Sequence, residues 1–457
     1  MLELKIGTSW VRGVVGDALT PELAVEFACA FGSWAQGGPV VIGRDARRSS
    51  PMLRSAVVAG LLSPGCEVID LGVCPTPLVS FAVRDLGAAG GIAVTGSHND
   101  ERWNALKFIG PDGALLNAVK SEELLDIYHA RAFAHAPRHG LRSVADAPEV
   151  GDRYLESVLS ALDVDAVRAR GFRIAVDFCN GCCRAVLECL LDELGCELLA
   201  LNAEPGARFP HAPSPSAETT RELESFMREN GAELGVGLNV DGDRLAFVIP
   251  GLGRLSEEYT LPLAAHARLD RRPGSIVTNL STSRMVDVLA AARGQRVIRT
   301  AVGEGHVVDC GLAEGAVLAG EGNGGVAAIP IAMTFDAALT LATVLESLAV
   351  SGATLADVVG TLPHMAIRKG EIACSPDRVY RALESLRKSA AGERADLRDG
   401  VRIDWRDAWL HVRASNTEPL LRVIVEAESD ERADTLFHEA MERGRDAVVP
   451  QARGGNP

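Results

Sequence analysis

Four short segments carry residues whose types and spacing could do chemistry. The first is Thr95-Gly96-Ser97-His98-Asn99, which follows the apolar run Gly91-Ile92-Ala93-Val94 and precedes Asn104 and Lys107. A strand that ends in a turn of small residues projects a hydroxyl into a cleft rather than a core, so Ser97 reads as a nucleophile. Lys107 could neutralise phosphate charge, and His98 is expected to brace the loop by a hydrogen bond. The second segment, Asn239-Val240-Asp241-Gly242-Asp243-Arg244, lies between the alternating apolar residues Leu234, Val236, Leu238 and Leu245, Phe247, Ile249. Oxygen donors at i, i+2 and i+4 suit a hard cation such as Mg²⁺. A calcium loop counted from Asn239 would need a glutamate where Pro250 stands, which rejects that geometry. The plainer reading is a charged hairpin turn, since Asp-Gly is a common hairpin dipeptide, but two aspartates and an arginine in apolar surroundings favour a metal.

The third segment, Gly320-Glu321-Gly322-Asn323-Gly324-Gly325, matches the spacing of a dinucleotide fingerprint. That fingerprint needs a helix opening at its last glycine, whereas Val326-Ala327-Ala328-Ile329-Pro330 reads as extended. Glu321 and Asn323 on a glycine-rich loop suit sugar hydroxyls instead, against the alternative of a plain flexible turn. The fourth segment, Arg413-Ala414-Ser415-Asn416-Thr417, with Arg422 nearby, crowds a guanidinium, two hydroxyls and an amide into five residues. Such a donor set suits an anion such as phosphate, against the plainer reading of a polar turn. A nucleophile, a cation site, a sugar loop and a phosphate cradle together imply phosphoryl transfer on a polar small molecule.

These segments need elements to hold them. Val40-Val41-Ile42, Arg173 to Val176 and Ser275-Ile276-Val277 are apolar strands, each leading into a polar loop and a helix-compatible stretch. Recurring strand-loop-helix units predict repeated α/β domains. The stretches 134–148, 251–256 and 362–367 read as linkers. Beyond them the pattern changes to a helix over 378–389, strands over 401–403, 409–412 and 420–425, and a closing helix over 430–447, a small α+β domain.

The bulk numbers agree. At 457 residues the chain suits about three or four domains. A net charge of -15 argues against nucleic acid or an anionic membrane as the main partner, while leaving room for a small anion held by local arginines and a metal. No apolar run reaches membrane-helix length. Ten scattered cysteines fit reduced thiols in a cytoplasm, and Cys179, Cys182 and Cys183 lack a second Cys/His pair at zinc spacing.

The four segments, in this order, resemble the α-D-phosphohexomutase superfamily, which includes phosphoglucosamine mutases and phosphomannomutase/phosphoglucomutases. The resemblance covers essentially the whole chain. Gly7-Thr8-Ser9 with Arg12-Gly13 is similar to the family's N-terminal phosphate motif, and Gly43-Arg44-Asp45 with Arg47 and Ser49-Ser50 to its next strand-loop. Asp177 with Asn180-Gly181 resembles the start of the second domain. The resemblance implies a four-domain, heart-shaped α/β enzyme: three related mixed α/β domains at 1–140, 141–251 and 252–364, and a TATA-box-binding-protein-like α+β domain at 365–457. It implies catalytic roles for Ser97, Lys107, Arg12 and Arg244. Substrate binding would fall to Thr8, Ser9, His98, Glu321, Asn323, Arg413, Ser415, Asn416, Thr417 and Arg422. Mg²⁺ would sit on Ser97, Asn239, Asp241 and Asp243. The expected reaction passes a phosphoryl group from Ser97 to a hexose phosphate and back, with hexose 1,6-bisphosphate as intermediate and activator. The enzyme would be a monomer or homodimer.

Several positions depart from the family pattern. The first metal position is usually aspartate and here is Asn239. The proline after the nucleophile motif is Asp100, and an Asn-Gly is Asn104-Ala105. The usual Ser and His of the sugar loop are Asn323 and Gly325. That loop, with Val302-Gly303-Glu304, resembles an archaeal-type subgroup and points to glucosamine phosphate, with phosphomannose or phosphoglucose as the alternative. Asn239 and Asp100 also raise the alternative of a weakly active phosphosugar-binding relative.

Overall fold

Parallel strands that are apolar on both faces need helices on both sides, and that requirement shapes the first three-quarters of the chain. The structure, a computed structural model, describes residues 4–216, 218–389, 394–415 and 419–448. These residues form four sheets. In the first, Val68–Val73, Val40–Arg44 and Gly90–Val94 run parallel, and Trp103–Ile109 and Trp10–Val14 return antiparallel. The second places Leu234–Leu238 beside Arg173–Asp177 in parallel, with Leu245–Ile249 antiparallel. The third repeats the plan with Ile276–Asn279 between Val297–Thr300 and Leu318–Gly320, and Val326–Ala327 returning. The fourth is wholly antiparallel, in the order Ala366–Ala373, Leu420–Ala427, Ala408–Ala414, Val401–Asp404, Arg394–Asp396. Three related α/β units and one α+β unit are therefore present.

Two expected linkers carry strands. Val144–Asp146 pairs in parallel with Val68–Val73, so the first sheet extends past residue 140. Gly253–Arg254 pairs with Leu245–Ile249, which carries the second sheet past residue 251. Both are short edge strands whose polar, Pro- and Gly-rich surroundings hide them from any hydrophobic pattern. The last linker runs straight into Ala366–Ala373, a strand with polar residues at Arg368, Lys369 and Glu371.

Core packing separates the units differently from the sheets. One apolar cluster joins one side of the first unit (Val41, Val79) to the second unit (Val176, Phe247) and the third (Ile276, Leu339). The fourth unit has its own cluster around Leu421, Val423 and Val425. It is joined to the third unit by polar contacts: Arg284 pairs with Asp404 at 2.7 Å, and the Val302 N–H donates to Asp399 at 2.9 Å. Buried His411 faces the Ser281 hydroxyl at 2.8 Å. All ten cysteines are unpaired thiols. Among the described residues no single helix is long and apolar enough to cross a membrane.

Candidate active site

Ser97 sits where the Gly90–Val94 strand gives way to a turn, with φ at +49°. A non-glycine residue in that region costs roughly 1–3 kcal/mol unless its surroundings impose it. Arg47 and Asp45 do so. The Arg47 guanidinium donates to the carbonyls of Ser97 and Asn99 at 2.7 Å each, and of Asp100 at 2.5 Å. Asp45 binds Arg47 at 2.8 Å and accepts from the Thr95 hydroxyl at 2.8 Å and the Gly96 N–H at 3.3 Å. The loop is thus held by its backbone, and the Ser97 Oγ, fully buried, has no hydrogen-bond partner among the described residues. A buried hydroxyl left unpaired costs roughly 1–3 kcal/mol, which marks it as kept for something else.

The expectation that His98 braces this loop is overturned. Its ring opens on the cavity and makes no hydrogen bond among the described residues. Desolvation, then the charges of Arg244 and Arg12, push its imidazole well below the ordinary range, so it is neutral. Bracing falls to Arg47, and Asn99 serves another purpose, accepting from the Arg12 guanidinium at 2.6 Å. Asp100 is offset as its neighbour suggests: Arg102 pairs with it at 2.7 Å on the surface.

Facing Ser97 is the turn between Leu234–Leu238 and Leu245–Ile249. Asp241 and Asp243 are both 1 % exposed, and the Lys107 ammonium bridges them at 2.7 and 2.8 Å. Burial alone would discharge Lys107, but the two carboxylates outweigh it and hold its pKa above the usual lysine range. Burial would likewise raise Asp243, yet Lys107 and Arg244 hold it well below the usual range, while burial and the Asp243 charge raise Asp241. Asn239 behaves differently from a metal ligand. Its amide nitrogen donates to Asp241 at 2.8 Å and Asp243 at 2.5 Å, and its oxygen accepts the Arg244 N–H at 3.1 Å. Among the described residues no three His, Cys, Asp or Glu side chains converge on one cation position. Two buried carboxylates and the unpartnered Ser97 oxygen nevertheless fit a hard divalent cation. Asn239 presents hydrogen-bond donors there rather than an oxygen.

Glu321 and Asn323 project from the loop after Leu318–Gly320. Glu321 accepts from the Asn279 amide and the Gly303 N–H, both at 2.7 Å, and from Asn323 at 2.8 Å. Gly322 is required because a Cβ there would lie 2.0 Å from Glu258. The loop is tied to the carboxylate turn, since Leu245 N–H donates to the Gly324 carbonyl at 3.2 Å.

Ser97, His98, Lys107, Asp243, Glu321 and Asn323 border one cavity of about 380 Å³, lined also by Thr8, Ser9, Arg12, Arg244, Arg413, Ser415 and Arg422, while Asp241 and Asn239 stand behind its wall. Arg413 and Arg422 are directly opposed across neighbouring strands, a like-charged pair that an anion between them would relieve. Arg413 also pairs with Asp399 at 3.0 Å. Asn416 and Thr417 lie outside the described residues. Sequence reasoning took Glu304 only as part of the Val302-Gly303-Glu304 resemblance, with no role in the site, and passed over Lys369; both line the same cavity. Burial, then the Asp243 charge, pushes Glu304 up to about 8, and Lys369 pairs with Glu258 at 2.8 Å. Neither belongs to a dense polar string, so only the fold reveals their place in the cavity. Trp10, whose ring carries the Arg12 guanidinium 4.5 Å from its centroid, was masked by its own strand.

A cleft built from four units around a strained serine, two carboxylates and a distal arginine pair defines a phosphotransferase acting on phosphosugars. Its four parts match the Phosphoglucomutase/phosphomannomutase family: alpha/beta/alpha domains I, II and III over residues 3–135, 152–252 and 256–365, and the C-terminal domain over 371–443. The chain belongs to this family and is a phosphohexomutase. It is 33% identical over 437 residues to "Phosphoglucomutase/phosphomannomutase" of Thermococcus kodakarensis, covering 93% of this chain and 95% of that one. It is 34% identical over 449 residues to "Probable phosphoglucosamine mutase" of Methanopyrus kandleri, covering 97% and 98%. Among solved structures, a phosphoglucomutase/phosphomannomutase family protein from Burkholderia thailandensis superimposes with a TM-score of 0.85 at 27% identity, covering 97% and 98%.

Proposed function

We propose that the enzyme interconverts glucosamine 6-phosphate and glucosamine 1-phosphate through a phosphoserine at Ser97 and a bound hexose 1,6-bisphosphate, which also serves as activator. The observation that carries this reading is the buried Ser97 hydroxyl, held without a partner in the cavity that the arginine pair borders. A sugar hydroxyl attacks the phosphorus on Ser97, the Ser97 oxygen leaves, and the bisphosphate turns over before returning its other phosphoryl group. Bound to Asp241, Asp243 and the Ser97 oxygen, Mg²⁺ would supply positive charge to the phosphoryl oxygens. Lys107, Arg12 and Arg244 add fixed positive charge, so positioning and electrostatics lower most of the barrier. Arg413 and Arg422, with Ser415, Asn416 and Thr417, hold the phosphate that does not react, and Thr8 and Ser9 border the path between the two. Glu321 has lone pairs left for sugar hydroxyls, and Asn323 and neutral His98 complete that wall.

Glucosamine is favoured because relatives at 34% and 31% identity bear the phosphoglucosamine mutase name. Mannose or glucose phosphate is the second reading, on the strength of the Thermococcus relative. Ten unpaired thiols suit a reducing compartment, and the cytoplasm is the proposed location. The test is ³¹P NMR with Mg²⁺, a trace of hexose 1,6-bisphosphate, and glucosamine, mannose or glucose 6-phosphate in separate tubes. Fastest growth of the sugar 1-phosphate signal with glucosamine supports the proposal; a faster mannose or glucose reaction reassigns the substrate.

A further inference from the structure

A second cavity, of about 300 Å³, shares no lining residue with the catalytic one. It lies between the helices Thr260–Leu269 and Ala337–Ser351 and the turn at Ala161 and Leu162. Its charged lining is Arg268, Arg271, Arg272 and Glu346. Three guanidiniums against one carboxylate leave a local excess of positive charge in a chain whose net charge is -15. We propose that this cavity is a second anion site, taking a small phosphate-bearing ligand of which inorganic phosphate is the simplest.

The argument rests on how the arginines are placed. Arg268 is 8% exposed, and its Nε and Nη2 donate to the carbonyls of Val317 at 3.2 Å and Ile329 at 3.3 Å. Its remaining nitrogen, Nη1, has no acceptor among the described residues and is reached by solvent, so it can donate to a ligand. Arg271 is paired with Glu346, whose carboxylate also accepts the Asp163 N–H. Arg272 makes no ion pair among the described residues. Burial, then the charges of Arg272 and Arg271, depress Arg268 to about 10, and a bound anion would act against all three. Basic residues at a helix C-terminus are favourable on dipole grounds alone. That effect accounts for an exposed arginine after Leu269. It does not account for Arg268, a mostly buried guanidinium that lines a cavity together with two further arginines. The volume is at the small end for ligand pockets, roughly 300–1,000 Å³, which suits a phosphate monoester better than a nucleotide. Arginine forks match phosphate oxygens in pairs.

The test is equilibrium dialysis of the full chain against ³²P-labelled inorganic phosphate, with Arg413→Ala, Arg272→Glu and Glu346→Gln beside the wild type. Two phosphates per chain are expected in the wild type, one lost in Arg413→Ala and the other in Arg272→Glu. Glu346→Gln should tighten the phosphate that depends on Arg272 by about tenfold, since it removes the competing carboxylate and keeps an acceptor for Asp163. A purely structural cluster would respond in the opposite sense. Mutase turnover in Arg272→Glu should stay within about twofold of wild type; Arg272→Gln, expected to lose the same phosphate, replaces it if that variant does not fold. An Arg272 variant with the wild-type isotherm, or an isotherm to which Arg413 alone contributes, would overturn the proposal. Loss of phosphate in Arg272→Glu but not in Arg413→Ala would uphold this site and instead count against the catalytic assignment of Arg413.

Discussion

Ser97 and Asn239 decide what each side of the catalytic cavity contributes. Ser97→Ala removes the only proposed phosphoryl carrier, so activity should fall by at least about 10⁴-fold, and mass spectrometry should find a phosphorylated Ser97 peptide in wild-type protein and none in the variant. Asn239→Asp trades two hydrogen bonds to buried carboxylates for a third negative charge. The Mg²⁺ concentration for half-maximal activity should drop about tenfold, while stability in EDTA falls by roughly 1–3 kcal/mol in urea melts. Opposite signs in the two measurements separate a metal-affinity effect from a folding effect. Ser97, Asp241, Asp243, Glu321 and Arg413 are legible in the chain because each stands in a short, dense polar string flanked by apolar residues. The bearing of Asn239 is not legible, since an amide shows neither which atom it turns inward nor what Arg244 does to it. The bracing role assigned to His98 failed for a similar reason: Arg47, about fifty residues earlier, arrives from the loop after the Val40–Arg44 strand and takes the loop carbonyls first.

At the scale of elements, two devices hold the chemistry in place. The first is the Arg47 fork under the serine loop. Arg47→Lys keeps the charge but cannot reach several carbonyls at once, so kcat should fall about 100-fold with KM nearly unchanged. The second is the N-terminus of the helix Ala337–Ser351, whose Ala337 N–H donates to the Gly242 carbonyl at 3.1 Å, between the two carboxylates. Asp336 caps it, accepting from the Leu339 N–H at 3.0 Å and the Tyr154 hydroxyl at 2.8 Å. Burial still pushes the Asp336 carboxyl from 3.8 up to about 6. The folded chain therefore holds this proton more tightly than the unfolded chain. Its contribution is greatest below pH about 4 and is lost as pH rises through about 6, a change of about 3 kcal/mol. Asp336→Asn keeps the cap, so the difference between its urea-melt stability and that of the wild type should grow from pH 4 to pH 7 and then level off. Strand-loop-helix units and the C-terminal α+β unit are visible in hydrophobic periodicity. The edge strands Val144–Asp146 and Gly253–Arg254 are not, because two or three residues at a sheet margin bury too little to impose a pattern.

At the scale of the molecule, three units share an apolar core and the fourth is joined to them by polar contacts. Arg284 ties its backbone N–H to Glu426 and its guanidinium to Asp404 and the Trp405 carbonyl. Arg284→Ala should loosen this junction, raising KM for the sugar phosphate about tenfold and enlarging the radius of gyration measured by X-ray scattering. An unchanged scattering curve would assign the junction to His411 and Asp399 instead. The cavity draws on residues from Thr8 to Arg422, so its two ends emerge from the ribosome almost the full length of translation apart. A nascent chain can fold the serine loop and its Arg47 support early, yet has no means of gripping a second phosphate until the last sheet arrives. Termination between the third unit and Arg413 would therefore leave the shared core of three units with a poised hydroxyl and no complete cleft, chemically silent toward the sugar.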